Sequence, residues 1–183
     1  MELNIVNISS VGSTNSYAME LIGDGKLTEG DVYLTNNQIN GKGLGDNLWE
    51  SEPSSNITLS LVLQPKFVEP ANQFILTQIV SLAIVDTINS YLISKNSKAE
   101  LKIKWPNDIY IDNCKIAGIL FQNYIMGNQI SYSIAGIGIN INQLVFTSGA
   151  KNPVSLIHHM DNKYLNENFL QATFQDKLLH LHQ

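Results

Sequence analysis

Short runs of alternating apolar and polar residues recur along the chain, and a period of two is typical of a β-strand with one buried face. Such runs predict strands over residues 3–6, 31–35, 57–63, 101–105 and 130–141. Polar turn residues or prolines separate the runs, so each strand has clear ends. The pattern therefore predicts a sheet built from many separate strands.

Apolar residues recur at helical spacing in three other segments. The longest spans 70–94, and a shorter helix follows Ser13 or Thr14, either of which suits an N-cap, and ends near residues 23–25. A final amphipathic helix is predicted over 164–182. This order of elements predicts an α+β fold, in which helices pack on one mixed, mostly antiparallel sheet.

One stretch combines a predicted hairpin with unusual polar groups. Ile109–Ile111 favours a strand, Asp112-Asn113 is turn chemistry, and an apolar strand resumes before Leu120. Asp108 and Lys115 then lie on the two strands of one hairpin, where a carboxylate and a cation can face the same cleft. A surface hairpin with solvated charges is the alternative interpretation.

A glycine-rich loop follows the second predicted strand. Gly41, Gly43 and Gly45 recur at a spacing of two, which lets the backbone approach a ligand closely and present amides to an anion. The loop lacks the Gly-Lys-Ser/Thr of a phosphate-binding P-loop and the spacing of a dinucleotide fingerprint. Taken alone, it also suits a flexible surface loop.

Three further features each carry two interpretations. Ser13-Thr14-Asn15 is a helix cap or a ligand contact, and the two can coexist. Gly136 and Gly138 lie inside a predicted strand, which indicates either a close approach to the backbone or a packing irregularity. The adjacent histidines 158 and 159 would point about 100° apart on a helix, so solvated side chains are favoured over a metal pair.

Composition narrows the class of protein. The 183 residues are 44% hydrophobic, which predicts one globular domain over 1–183 with a substantial core. The net charge is 11 − 16 = −5, which argues mildly against nucleic acid as a partner. No apolar window of about eighteen residues, no signal peptide and a single cysteine, Cys114, lead us to expect a cytoplasmic protein with no membrane span.

Lys104-Trp-Pro-Asn-Asp, followed by Lys115-Ile-Ala-Gly-Ile-Leu, resembles the core signature of biotin–protein ligases. Ser13–Asn15, the loop from Gly41 to Trp49, and Gly136–Asn142 resemble three other family motifs, in the same order. The resemblance covers nearly the whole chain and implies the family's class II synthetase-like catalytic domain. We expect the non-repressor type, without an N-terminal helix-turn-helix and with the small C-terminal β domain absent or truncated.

The resemblance implies that ATP activates biotin as biotinyl-5′-AMP, which then modifies a lysine on the biotin-carrier domain of a carboxylase. Lys115 would bridge the biotin carboxylate and the phosphate, and Asp108 would orient or deprotonate the incoming lysine. The implied biotin-binding residues are Ser13, Thr14, Asn15, Gln38, Gly41, Lys42, Gly43, Trp49, Lys115 and Gly118. The implied nucleotide-binding residues are Lys42, Trp105, Asn107 and Asn140. Mg²⁺ would accompany ATP without a metal site on the protein, and a homodimer is left open.

The glycine-rich loop departs from the family pattern Gly-Arg-Gly-Arg-x-Gly-Arg-x-Trp. Lys42, Leu44 and Asn47 stand at the three arginine positions, and lysine cannot supply the bidentate contact of a guanidinium. We therefore expect the adenylate to dissociate faster than from relatives with all three arginines. The alternatives are a lipoate–protein ligase, a biotin-binding module with impaired turnover, and a purely structural α+β domain.

Overall fold

The protein is described from a computed structural model, which covers residues 2–94 and 97–160 together with Asp176. Two helices are described, α1 (Thr14–Gly23) and α2 (Phe74–Ser94). The strands are β1 (Asn4–Ile8), β2 (Asp31–Thr35), β3 (Gly41–Lys42), β4 (Leu48–Trp49), β5 (Asn56–Leu63), β6 (Leu101–Lys104), β7 (Asp108–Ile111), β8 (Cys114–Met126) and β9 (Gln129–Asn140). Short 3-10 turns cover Pro70–Asn72 and Leu156–His159. The predicted final helix lies outside the described residues apart from Asp176.

Seven strands form one sheet in the order β1-β2-β5-β9-β8-β7-β6, and β3 pairs with β4 in a separate hairpin. β1 and β2 are parallel, and the other neighbours in the large sheet are antiparallel. The prediction of a mixed, mostly antiparallel sheet is therefore confirmed. β7 and β8 form the predicted hairpin, with Asp112 in the left-handed region at φ 52°.

The two faces of the sheet have different roles, and β5 shows how the sequence separates them. Its odd-numbered aliphatic residues join the core that packs under α2, whereas Val62 belongs to the smaller cluster under α1. Thr58 and Ser60 share the alternate face with Val62, because successive side chains of a strand point to opposite sides. The α1 face of the sheet thus carries buried polar groups, and the α2 face holds most of the apolar core.

Helix α2 buries residues at the predicted helical spacing, among them Leu76, Val80, Ile84 and Ile88. Leu82 of the same helix is 47% exposed. The expectation that no segment is apolar enough to span a membrane needs correction. Residues 70–94 have a mean hydropathy of 1.4 over an 18-residue window, but half of that window is buried in the protein, as in a core helix.

Candidate active site

A cavity of about 670 Å³ opens on the α1 face of the sheet. This volume lies within the range of pockets that bind small molecules, about 300–1,000 Å³. The N-terminus of α1, the loop from Lys42 to Trp49, the middle of the sheet and residues Ser148–Lys151 line it. The cavity thus joins parts of the chain that are far apart in sequence, including all four family motifs.

Asp108 and Lys115 meet in this cavity, as the predicted hairpin requires. The Lys115 Nζ lies 2.6 Å from the Asp108 Oδ1, and both side chains are about three-quarters buried or more, at 26% and 20% exposure. A shift in the β7–β8 pairing between Ile109 and Tyr110 places Lys115 opposite Tyr110 instead of Ile111. The irregular register therefore turns the ammonium towards the carboxylate.

Trp49 lies on a floor of glycines beside this ion pair. The Lys115 Nζ is 5.7 Å from the centroid of the Trp49 ring. A Cβ atom on Gly138 would lie 2.6 Å from the indole Nε1, and one on Gly118 would lie 3.0 Å from Cζ3. A Cβ on Gly136 would lie 2.8 Å from Cγ of Asn15. Both strand glycines of β9 are thus explained by side chains that approach the backbone closely.

A buried polar cluster forms the other end of the cavity. The Gln38 Oε1 accepts hydrogen bonds from the Thr14 backbone N–H at 2.9 Å and from the Thr14 hydroxyl at 3.2 Å. The Ser60 Oγ lies 2.6 Å from the Asn15 Oδ1 and 2.8 Å from the Thr14 Oγ1. The Asn15 Nδ2 donates to the Leu120 carbonyl at 3.1 Å. Ser13 caps the helix by accepting from the Ser16 N–H, so capping and cavity lining coexist.

Most of the predicted site residues line the cavity, but three do not. The lining members are Ser13, Thr14, Asn15, Gln38, Lys42, Gly43, Trp49, Asn107, Asp108, Lys115 and Gly118. Gly41 instead pairs with Trp49 across the β3–β4 hairpin, where a Cβ would lie 2.7 Å from the Gln38 Nε2. Gly41 therefore shapes the loop without forming the wall.

Trp105 and Asn140 are the other two predicted residues outside the cavity wall. Trp105 is 74% exposed, with its ring 6.3 Å from that of Phe74. Asn140 is buried and its Nδ2 donates to the Val154 carbonyl at 3.2 Å. The ring of Trp105 thus faces outward, and its predicted nucleotide contact stays a prediction. Nucleotide contact by Asn140 stays a prediction.

The cavity wall carries two cations that were not among the predicted site residues. Lys104 and Lys151 line it together with Lys42 and Lys115, against the carboxylates of Asp46 and Asp108. The Lys104 Nζ lies 3.3 Å from the Tyr110 hydroxyl and 4.9 Å from the centre of its ring. Alternation along β6 gave a signal for Lys104, whereas nothing local indicated Lys151. The cavity is therefore richer in positive charge than its glycine-rich loop suggested.

All eleven basic residues of the 183-residue sequence are lysines, and arginine is absent from it. An anion in this cavity would meet ammonium groups, backbone amides and hydroxyls, but no guanidinium. Within the described part of the chain, no three His, Cys, Asp or Glu residues cluster as metal ligands would. The predicted absence of a metal pair at His158 and His159 stays a prediction, although burial lowers the pKa of His159 below its usual value.

Comparison with known proteins shows the family. The model of the biotin/lipoate A/B protein ligase family matches residues 8–140. The bifunctional ligase/repressor BirA of Bacillus spizizenii is 32% identical over 134 residues, which cover 73% of this chain and 39% of that protein. The biotin–[acetyl-CoA-carboxylase] ligase of Paracoccus denitrificans is 30% identical over 134 residues, which cover 73% of this chain and 53% of that protein. The chain belongs to the biotin/lipoate A/B protein ligase family.

A solved structure supports the same fold. The biotin protein ligase of Aquifex aeolicus in complex with biotin and ATP matches with a TM-score of 0.78 at 21% identity, covering 97% of this chain and 69% of that chain. The likeness confirms the predicted α+β catalytic-domain fold. This chain spans 39% of the length of the Bacillus relative, so family membership leaves the activity of the whole protein to be proposed separately.

Proposed function

We propose that the protein is a biotin–protein ligase, which activates biotin with ATP and transfers it to a lysine of a carrier domain. One observation carries the proposal: the Lys115 ammonium faces the cavity between a buried polar cluster and a wall of further lysines. The chemistry needs a cation where two anions must approach each other, a carboxylate and a phosphate. Lys115 occupies that central position.

The polar cluster suits the ureido ring of biotin. Thr14, Asn15 and Gln38 offer short hydroxyl and amide groups that can donate to the ureido oxygen and accept from its two N–H groups. The Trp49 indole and the glycine floor would cover the apolar ring and tail. A ligand held in this orientation would direct its carboxylate towards Lys115.

The charged half of the cavity suits the nucleotide. Lys42, Lys104 and Lys151 would contact the phosphates, and Asn107 lies on the same wall. ATP is expected to bring Mg²⁺, whose ligands would be phosphate oxygens and water, because such sites usually keep several waters. In the first step the biotin carboxylate attacks the α-phosphate, giving biotinyl-5′-AMP and pyrophosphate.

In the second step the amine of a carrier lysine attacks the carbonyl carbon of the mixed anhydride, and AMP leaves. Asp108 would accept the proton of that amine or hold it in line. Its carboxylate is already beside the cation that steadies the leaving phosphate. The identity of the carrier protein, the homodimer and the cytoplasmic location stay predictions from the sequence.

The test uses the purified protein with biotin, ATP, Mg²⁺ and a biotin-carrier domain. We expect ATP-dependent pyrophosphate release and labelling of the carrier, and a loss of at least about a hundredfold in Lys115→Ala, since one preorganised charge contact is worth that much. Lys26→Ala is the matched control, because Lys26 forms an exposed ion pair with Asp24. Background adenylate formation by the wild type would contradict the proposal.

Two rival functions have distinct outcomes in the same experiment. Calorimetric binding of biotin without pyrophosphate release would indicate a biotin-binding module with impaired turnover, which Leu44 and Asn47 in the glycine-rich loop make worth testing. Displacement of biotin by lipoate at comparable concentration would indicate a lipoate–protein ligase. If neither biotin nor lipoate binds, the purely structural domain is the remaining alternative.

A further inference from the structure

A carboxylate just after Trp49 holds the loop that follows β9. Both oxygens of Glu50 accept hydrogen bonds from the Thr147 backbone N–H, at 2.9 and 3.0 Å. The Thr147 hydroxyl donates to Oε1 at 3.0 Å, and the Ser148 N–H donates to Oε2 at 2.7 Å. Three donors from two adjacent residues thus converge on one side chain, although 97 positions separate Glu50 from Thr147 in sequence.

A second side chain, Gln143, also contacts this carboxylate. Gln143 is buried, and its Nε2 lies 3.5 Å from the Glu50 Oε1 and donates to the Val145 carbonyl at 2.9 Å. Its Oε1 accepts from the Glu52 backbone N–H at 2.9 Å. Burial raises the pKa of Glu50, but the hydrogen bonds from Ser148 and Thr147 outweigh it and hold that pKa below its usual value. The carboxylate is therefore charged at neutral pH.

The other end of the loop is fixed to the strand that carries the central cation. The Lys115 N–H donates to the Asn152 carbonyl at 2.7 Å, and the Val154 N–H donates to the Lys115 carbonyl at 2.9 Å. Ser148–Lys151, between the two attachments, line the cavity but are themselves exposed. Glu50 and the Lys115 backbone therefore hold the two ends of a four-residue bridge across the cavity rim.

We infer that Glu50 is a positioning residue for the proposed ligase reaction, which holds the loop so that Lys151 contacts the phosphates of the nucleotide. The inference rests on the proposed function and deepens it. The sequence has no arginine, so cations for the intermediate must come from lysines, and Lys151 is the one that reaches the cavity from this loop. An ammonium on a loop without helix or strand structure needs such an attachment, because ordering it at the moment of binding would cost affinity.

The experiment compares Glu50→Gln, Glu50→Ala, Lys151→Ala and the double variant Glu50→Ala/Lys151→Ala in the full chain. Hydrogen bonds to a charged group are worth enough to change an equilibrium by roughly tenfold. We expect each single variant to raise the KM for ATP by about tenfold, with the dissociation constant for biotin unchanged within about twofold, because the polar cluster lies elsewhere. The KM for ATP of the double variant should be no higher than that of the more impaired single variant, since both substitutions remove the same contact.

Glu52→Ala is the matched control. Glu52 lies two residues from Glu50 on the same segment and its side chain is exposed, so this variant should keep the wild-type KM. Effects that multiply in the double variant would show that Glu50 does not act through Lys151 and would overturn the inference. A wild-type KM in a folded Glu50→Ala variant would overturn it as well.

Hydrogen exchange separates this inference from the proposed function. The Thr147 and Ser148 amides should exchange about tenfold faster in Glu50→Ala and Glu50→Gln than in the wild type or Glu52→Ala. If the wild type forms no adenylate, the proposed function fails, and calorimetric binding of ATP to the same variants then decides the role of Glu50 and Lys151. Unchanged exchange and unchanged ATP affinity in both variants would refute it.

Discussion

The glycine floor under Trp49 makes a sharp prediction for Gly138→Ala. The added Cβ would lie 2.6 Å from the indole Nε1, and its two other nearest neighbours are also atoms of the Trp49 ring. A distance under about 3 Å is not tolerated, so either the strand or the indole must move. Gly118→Ala requires a much smaller movement, because the nearest contact of its added Cβ is 3.0 Å, to Cζ3 of the same ring.

The pairing of the strands decides which group moves. Gly138 lies opposite Thr58 on β5 and opposite Gly118 on β8, in the middle of the sheet. Moving β9 would disturb both ladders, whereas Trp49 is carried on a hairpin of two-residue strands. We expect the indole to leave its position, and the free energy of unfolding to fall by about 1–3 kcal/mol, as for other overpacked sites.

Tryptophan fluorescence and urea unfolding measure the two effects. The sequence has two tryptophans, so Trp105→Phe leaves Trp49 as the one reporter. In that background Gly138→Ala should shift the emission of Trp49 to the red and weaken biotin binding by at least about tenfold, which corresponds to the loss of roughly one buried contact. Gly23→Ala serves as the control, because its added Cβ would meet no atom within 4 Å beyond its own helix backbone and chain neighbours.

Two results would refute this reasoning. An unchanged emission spectrum together with a large loss of stability would mean that β9 moves while Trp49 and the β3–β4 hairpin stay in place. Unchanged emission and unchanged stability would mean that Trp49 does not lie on Gly138 in solution. A graded series, with Gly118→Ala between the wild type and Gly138→Ala in both measurements, would support the described packing.

Three further changes have defined outcomes. Asp108→Asn removes the carboxylate that pairs with Lys115, so biotin affinity should hold or rise while transfer to the carrier slows by at least about tenfold, as single-turnover labelling would measure. Burial and Asp31 raise the pKa of Tyr33 to about 12, so the stability that the neutral phenol contributes is full below about pH 10 and lost as the pH rises towards 12. Urea unfolding should therefore show wild type losing up to about 3 kcal/mol more than Tyr33→Phe over that interval. Leu44→Arg should slow release of the adenylate by about tenfold in a filter-binding chase, through a bidentate phosphate contact. An unchanged off-rate would contradict the expectation that the glycine-rich loop of the wild type releases the adenylate quickly.

Local pattern was enough to predict the elements that the site is built on. Alternation along β5 separated its polar face from its apolar face, and turn chemistry at Asp112 located the β7–β8 hairpin. That hairpin brings Asp108 and Lys115 together, so a contact between them could be predicted without knowing the rest of the fold. The two glycines of β9 indicated a close approach, although the sequence could not name the side chains that approach.

The missed residues depend on contacts between distant parts of the chain. Glu50 and Thr147 are 97 positions apart, and Ser60 and Thr14 are 46 apart, so neither pair leaves a local signature. Trp105 lies inside a family motif, but the motif alone could not predict that its ring is exposed. Lys151 lies on a loop with no regular period, where sequence pattern says nothing about direction.

A cavity whose cations are all amines must coexist with the reagent it is proposed to make. A mixed anhydride acylates free amines, whereas a guanidinium would be inert, so each lysine of the wall is a competitor of the carrier's lysine. The ion pair with Asp108 holds the Lys115 Nζ against a carboxylate, whereas Lys151 lies exposed on the rim. Mass spectrometry of the enzyme after turnover should therefore find biotin first on Lys151.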